Sequence, residues 1–183
     1  LTRFDGGEVR QRASLAAEAT RIVTPWDGHT LVGHVGGAIV AGDLDRPSQM
    51  LDAGGPEALR GWAPFWLLGR ARVLANAEYR VAFWHDLNQN WGHFIWVHGV
   101  GAAAFVDVGA VSSCAAYGDI SERKNFFASA GVGLRLFYDN FGIQQGMMTL
   151  DFAVPIAARR RECLGQMFPG TDELPKLTVN LTF

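Results

Sequence analysis

The residues best suited to specific chemistry are one arginine and two acids that lie far apart in the sequence. Arg60 lies in the segment GGPEALRGWAPFW (54–66), and the only other basic residue between 43 and 69 is Arg46. Glu78 and Asp107 lie in later segments rich in apolar residues. A guanidinium is a planar fork that can bind two carboxylates with good geometry. These residue types predict a charge-paired anchor in which Arg60 binds both acids.

Other residues with reactive side chains form no recognisable site in the sequence. The five histidines show no ligand spacing with acids, and no P-loop, nucleophile elbow or carboxylate pair is present. Cys114 and Cys163 resemble neither a zinc site nor a redox pair. The net charge of −2 and the pI of about 6.2 argue against nucleic acid as a partner. We therefore expect no enzymatic activity and no metal.

Strict alternation of polar and apolar residues gives the class of fold. In the last eight residues, one face carries polar side chains and the other carries Leu177, Val179, Leu181 and Phe183. The same period of two recurs in RQRASLAAEAT, GRARVLANAEYRVAF, NFFASAGVGLRLFYD and MMTLDFAVPIA, with Leu74 as an exception on a polar face. Segments of about ten residues with this pattern are typical of a transmembrane antiparallel β-barrel. A soluble antiparallel sandwich is the alternative, because its strands also alternate.

Two features favour the membrane barrel over the sandwich. The polar face repeatedly carries Gly, Ser, Arg, Glu and Asp, as a wet lumen would, and aromatic residues cluster at the predicted strand ends, as in an interfacial girdle. Asp107 is expected to face the lumen, because a carboxylate that faces lipid is energetically costly. It shares its face with small residues and Phe105.

Seven strands are predicted, at 9–22, 30–42, 70–84, 94–111, 126–138, 146–158 and 176–183. The short connections are expected on the periplasmic side and the longer ones outside, which places the C-terminus in the periplasm. Residues 1–183 would then form one portion of a single barrel domain. Because an open edge in lipid is not viable, other strands or another chain must complete the barrel.

The long connection 43–69 is expected to fold back into the barrel. Gly54, Gly55 and Gly61 would allow tight turns and close approach to the wall. Trp62, Phe65 and Trp66 would pack the loop against the lumen, with Arg60 at its tip. The alternative is an external loop with Arg60 in solvent.

Five segments in series resemble a known superfamily. The segment with Gly54, Gly55, Leu59, Arg60, Gly61 and Trp62 resembles the (Val/Leu/Ile)-Arg-Gly-(Phe/Tyr/Trp) loop of the BamA/TamA/FhaC superfamily of outer-membrane barrels. NAEYRV, AAAFVDVGAV, ASAGVGLRL and TLDFAVPI resemble the strands that follow it. Trp62 replaces the commoner Phe or Tyr, and the turn between the third and fourth strands is longer than usual.

The resemblance implies a fold and a function. The fold would be a 16-stranded barrel, usually preceded by POTRA domains, with this chain supplying the last seven strands. The function would be to insert proteins into the bacterial outer membrane or to pass them across it, without cofactor or nucleotide. The strand 176–183 would form one side of a weak seam, next to a strand in which Pro155 removes a ladder donor.

The implied partners are outer-membrane lipids, client proteins and accessory lipoproteins. The basic stretch 159–162 could meet lipopolysaccharide phosphates, or it could simply be solvated. Two other functions remain open: a passive pore, and a membrane anchor or secretion barrel for an upstream patatin-like lipase domain. A disulfide between Cys114 and Cys163 is also predicted, because both cysteines fall on neighbouring external loops.

Overall fold

The computed structural model describes residues 2–3, 9–44, 46–115, 117–141, 143–157, 161–163, 166–168 and 178–182, with side chains described between residues 11 and 156. Seven of its strands form one antiparallel sheet in chain order: β1 Arg12–Trp26, β2 His29–Gly42, β3 Ala71–Trp84, β4 Ile95–Val111, β5 Phe126–Asn140, β6 Gln144–Ala157 and β7 Thr178–Thr182. The predicted all-β, antiparallel fold is confirmed.

Several short strands and turns accompany the seven strands of this sheet. The strand Gln89–Trp91 folds back on β4 within the turn that follows β3. Paired two- or three-residue strands occur at Thr2–Arg3 with Val9–Arg10, Leu51–Asp52 with Leu68–Gly69, and Arg161–Cys163 with Gln166–Phe168. Short 3₁₀ turns lie at Pro47–Gln49, Gly118–Ser121 and Arg123–Asn125. Across the described ranges, no helix is long and apolar enough to cross a membrane.

The sheet has two different faces, which β4 shows most clearly. Its odd-numbered residues from Gly99 to Gly109 are buried, whereas Ala104, Val106 and Val108 are exposed. The connection 43–70 packs on the buried side, which we call the loop-covered face, and the other side is the outer face. Alternation along a strand sends successive side chains to opposite faces. The period of two in the sequence therefore corresponds to these two environments.

The apolar core lies between the loop and the sheet rather than between two sheets. One cluster joins loop residues such as Leu59 and Trp62 to Leu74, Val111 and Phe127 of the wall. A second cluster lies nearer the loop's two ends and contains Val40, Leu44, Met50, Leu68 and Cys114. Trp66 packs against both clusters. The loop therefore supplies much of the packing that holds the described sheet together.

Six of the exposed aromatic side chains lie at one end of the sheet, near the turns after β1, β3 and β5. They are Trp26, Phe83, Trp84, Trp91, Phe94 and Phe141. Phe94 and Phe141 lie with their ring centroids 6.2 Å apart. Aromatic side chains with an apolar body suit the boundary between lipid and water. The predicted clusters at 83–84, 91–96 and 137–141 therefore lie at one rim, and the predicted Phe183 lies outside the described residues.

Candidate functional site

The loop 43–70 is a compact, hydrogen-bonded unit that carries Arg60 at its tip. The amide of Gly55 donates to the Trp62 carbonyl at 2.8 Å, and the amide of Leu59 donates to the Ala53 carbonyl at 3.0 Å. Gly55 has a φ of 104°, a conformation that only glycine adopts without strain. These bonds turn the chain back on itself, so that Arg60 projects from a closed turn.

Asp107 on β4 receives Arg60 in a two-pronged contact. Arg60 Nε donates to Oδ2 at 2.9 Å, and Nη2 donates to Oδ1 at 2.8 Å. The Arg60 backbone amide also donates to Oδ2, at 3.2 Å, and Asn76 Nδ2 donates to Oδ1 at 2.9 Å. Asp107 is 0% exposed. All the acceptor capacity of this buried carboxylate is therefore used, three of its four hydrogen bonds coming from one loop residue.

Two further acidic residues of the wall and one aromatic ring complete the set of groups that contact the Arg60 side chain. Its Nη1 donates to Glu78 Oε2 on β3 at 2.5 Å and lies 3.4 Å from Asp151 Oδ2 on β6. The guanidinium carbon lies 3.4 Å from the ring centroid of Phe105, in a cation–π contact. Arg60 is 7% exposed. The loop tip thus contacts three strands through a single side chain.

Two arginines of the wall balance the acids. Arg135 on β5 donates to Glu78 Oε1 through Nε at 3.2 Å and Nη2 at 2.9 Å, and to Asp151 Oδ1 through Nη1 at 2.5 Å. Arg80 Nε donates to Glu78 Oε1 at 2.6 Å. Three carboxylates therefore meet three guanidiniums. This pairing is what allows so many charges to be buried together.

The charge on Arg60 is held firmly by this environment. Burial alone would lower the pKa of Arg60, but the hydrogen bonds and charges of Asp107 and Glu78 outweigh it and raise the pKa above its ordinary value. The guanidinium stays protonated and cannot serve as an acid or a base. Within the described part of the chain, no group of three or more His, Cys, Asp or Glu side chains could hold a metal. The site therefore attaches the loop tip to the sheet through charge pairs.

The remaining motif residues fit the loop tip closely against the wall. A Cβ placed on Gly61 would lie 2.7 Å from the Ser129 Cβ and 3.0 Å from the Pro155 nitrogen. Trp62 is buried and meets Phe127 edge to face, with centroids 5.4 Å apart. Leu59 is fully buried in the same cluster. The structure thus brings Arg60, Glu78 and Asp107 together on the loop-covered face.

Sequence reasoning missed Arg135 and Asp151 as members of the cluster. The alternation placed both on polar faces, and Asp151 lies level with Gly133 of β5 because of the strand register. A further expectation was wrong: Phe65 does not pack the loop against the wall. Its ring is 59% exposed, its φ is 67°, and its amide donates to Asp52 Oδ2 at 2.6 Å. The bonded backbone, rather than ring packing, fixes this position.

Other predicted residues lie partly outside the described part of the chain. Leu177 and Phe183 are outside it, and for Val179 and Leu181 only the backbone is described, paired with Phe152 and Leu150. Cys114 is buried in the second apolar cluster, whereas Cys163 is described only as the end of a short strand. Of the basic stretch 159–162, positions 159 and 160 lie outside the described residues, and only the backbone of 161 and 162 is described.

The antiparallel sheet, one face apolar and exposed and the other covered by an anchored internal loop, defines a membrane β-barrel portion. The sequence profile of the Omp85 superfamily domain matches residues 14–164. The chain therefore belongs to the Omp85 superfamily, whose members insert or translocate proteins at the bacterial outer membrane, handle client outer-membrane proteins and are generally not enzymes. Among curated proteins none matches the chain.

Proposed function

We propose that this protein inserts or translocates proteins at the outer membrane, and that the loop held by Arg60 braces the barrel for that work. The observation that supports this most is the contact of one buried loop arginine with acids on β3, β4 and β6. A loop fixed at its tip gives the lumen a defined shape. Residues 1–183 would be one portion of a single barrel domain, the last seven strands of sixteen, with no catalytic role.

The second part of the proposal is a weak seam at β7. Its five residues pair with β6 from Thr149↔Thr182 to Ala153↔Thr178. A short edge strand is suited to exchange with an incoming strand by β-augmentation. In this register Val179 is opposite Phe152, which supports the proposal that Leu177, Val179, Leu181 and Phe183 face lipid. Single-cysteine labelling with lipid-soluble and water-soluble reagents tests it; lipid-side labelling at Thr178 would reverse the assignment.

The orientation follows from the connections. The turns after β1 and β5 are short, and the connections 43–70 and 112–125 are long, which supports a periplasmic C-terminus and external long loops. On this arrangement the partners are membrane lipids and lipopolysaccharide, client proteins and accessory lipoproteins. Strands or a chain beyond this sequence would complete the barrel, because β1 pairs only with β2 among the described residues and its other edge needs a partner in lipid.

The proposed disulfide joins Cys114 to Cys163. What supports it is the expected position of both cysteines on neighbouring external loops, outside the cell where thiols oxidise. The bond would tie the connection after β4 to the connection after β6. Mass spectrometry of a non-reduced digest should recover the linked peptides. Alkylation of both thiols in native membranes would exclude the bond.

The function can be tested by replacing Arg60 with Lys, which keeps the charge but removes the fork. The full chain in liposomes should accelerate the folding of a urea-unfolded outer-membrane protein, and Arg60→Lys should slow that folding at least about tenfold if two carboxylates must be held at once. The surface variant Lys124→Arg is the matched control, since its ion pair with Glu122 is exposed.

The same liposomes separate the alternative functions. A passive pore would give steady ion conductance without any acceleration of client folding. A barrel that serves an attached lipase would show ester hydrolysis by the full chain and no effect on client folding. Either result would overturn the proposed insertion or translocation function.

A further inference from the structure

A closed ring of charges links the loop tip to β6, the strand that pairs with β7. Arg60 and Arg135 contact the same two acids: Arg60 takes Glu78 Oε2 and Asp151 Oδ2, and Arg135 takes Glu78 Oε1 and Asp151 Oδ1. Each acid therefore presents one oxygen to the loop and the other to the wall. Asp107 lies outside this ring and binds no arginine other than Arg60 among the described residues.

The structure around Arg135 fits its side chain closely. It is 1% exposed, so its charge has no direct access to water. Asp151 reaches it across Gly133, where a Cβ would lie only 1.9 Å from Asp151 Oδ1 and 2.7 Å from Arg135 Nη1. Any residue other than glycine at 133 would displace the ring. The wall is therefore shaped for this pair of side chains.

The charge balance shows what Arg135 contributes. Against Glu78, Asp107 and Asp151, Arg60 alone would leave two negative charges uncompensated in a buried site. Arg80 contacts Glu78 but is 28% exposed and is not bonded to Asp151 in the described structure. Buried carboxylates without a partner are strongly unfavourable. Arg135 is thus the residue that compensates the charges of both Glu78 and Asp151 and holds the two carboxylates in place.

The loop tip also touches β6 directly. Gly61 packs against the backbone of Val154 and Pro155. The described pairing between β6 and β7 extends to Ala153, the residue immediately before this contact. Asp151 itself lies opposite Asn180 of β7. The anchor and the pairing of the terminal strand therefore share one short stretch of β6.

We propose that Arg135 is a positioning residue that fixes Glu78 and Asp151 for Arg60, and so couples attachment of the loop tip to the pairing of β6 with β7. Detaching the tip withdraws a cation from Asp151 and a packing partner from Pro155, which loosens the neighbouring ladder. This coupling would let the loop tip control the β6–β7 seam of the proposed function. The biological use of the coupling rests on that function, but its physical basis does not.

Hydrogen exchange of the full chain in bilayers, followed by mass spectrometry, tests the coupling without added labels. Arg135→Gln should raise exchange at least about fivefold in the tip peptide 54–63 and in β7, the lower end of ordinary site-to-site coupling. The loop-base peptide 47–53 and the β1–β2 hairpin should be unchanged. Lys124→Gln is the matched control: it removes a cation whose ion pair with Glu122 is exposed, and it should leave β7 unchanged.

A second comparison separates coupling from general loss of structure. Arg60→Ala should raise exchange in β7 on the natural background, and should raise it no further when Arg135→Gln and Asp151→Asn are already present. A uniform rise across all strands would mean that Arg135 is merely structural and would overturn the proposal. An unchanged β7 in Arg135→Gln would do the same. Neither outcome depends on client folding, so the proposed function stands or falls separately.

Discussion

The tip and the base of the long loop are held by different forces. At the base, Leu44, Met50 and Leu68 lie in an apolar cluster, and the short strands Leu51–Asp52 and Leu68–Gly69 pair through their backbones. At the tip, a buried guanidinium meets three carboxylates and the ring of Phe105. Both regions are buried, but only the tip depends on exact charge matching.

This difference in the forces at the base and the tip predicts that the two parts of the loop respond differently to substitution. Apolar packing has no preferred direction, so the base tolerates small shifts and keeps the loop ends attached to the sheet. Buried charge pairs fail together when one partner is removed, because the remaining charges lose their compensation. We therefore expect loss of one charge to detach the tip as a unit, whereas loss of one apolar contact should weaken the base by degrees. The following substitutions test this contrast.

Arg60→Ala should have the largest effect. It leaves Glu78, Asp107 and Asp151 close together with too few cations, at a cost of about 3 kcal/mol in the free energy of unfolding. Assembly activity should fall as well. Urea titration of the barrel in detergent or bilayers measures the loss, and hydrogen exchange should place it at the tip.

One result would contradict the prediction for Arg60→Ala. If Arg60→Ala were as stable and active as the natural protein, with the tip peptide still protected, charge pairing would not be what holds the tip. A cysteine cross-link between positions 60 and 107 provides an independent check of the tip's location inside the barrel.

Met50→Ala should break the base instead. Met50 is 6% exposed in the second cluster, and truncation of a buried Met to Ala costs about 2 kcal/mol or more where the site collapses poorly. Exchange should rise in the peptide 47–53 while the tip peptide 54–63 keeps its protection. Equal loosening of both peptides would show that tip and base are one cooperative unit.

Gly61→Ala should have a smaller effect at the tip, through crowding rather than charge. The added Cβ would press on Ser129 and on the backbone of β6, and such overpacking costs about 1–2 kcal/mol. Gly118→Ala is the matched control, because nothing lies within 4 Å of a Cβ there. Equal stability of the two variants in urea would contradict the close fit of the tip.

Much of the fold follows from sequence periodicity alone, because a period of two fixes which face each side chain occupies. This placed Glu78 and Asp107 on the polar faces of their strands, whereas Arg60 was proposed as their partner from its planar fork and its place in the loop. Two exceptions to the pattern were also informative. Leu74 and Phe105 are large apolar residues on the polar face, and the structure packs them under Leu59 and Arg60. They mark where the loop lies on the wall.

Alternation does not give the height of a residue along the barrel wall, and this is why Arg135 and Asp151 were missed. Their level is set by register, since Asp151 lies opposite Gly133 and Arg135 lies opposite Thr149. Register depends on turn lengths and packing across strands, which no single segment encodes. Phe65 was misjudged for a related reason: a local backbone turn, bonded to Asp52, decides its exposure.

The smallest expected effect concerns Asp119, which supports the base from the neighbouring connection 112–125. Its carboxylate accepts the Ser113 amide at 2.9 and 3.1 Å. The adjacent Ser112 Oγ accepts the amides of Arg70 and Ala71, where the loop re-enters the sheet, at 3.1 and 2.8 Å. Burial would raise the pKa of Asp119, but the hydrogen bonds from Ser113 and Asn125 outweigh it and lower the pKa below its ordinary value of 3.8.

Because the folded pKa lies below the unfolded one, this contribution to stability is complete above pH 3.8 and disappears as the pH falls through the folded value. The Ser113 amide resonance of the protein in nanodiscs should therefore titrate with a midpoint below 3.8. Asp119→Asn should abolish that titration and leave the tip peptide protected at neutral pH. A midpoint at or above the ordinary value would mean that Asp119 does not hold the connection. Loss of tip protection in Asp119→Asn would mean that base and tip are not held separately.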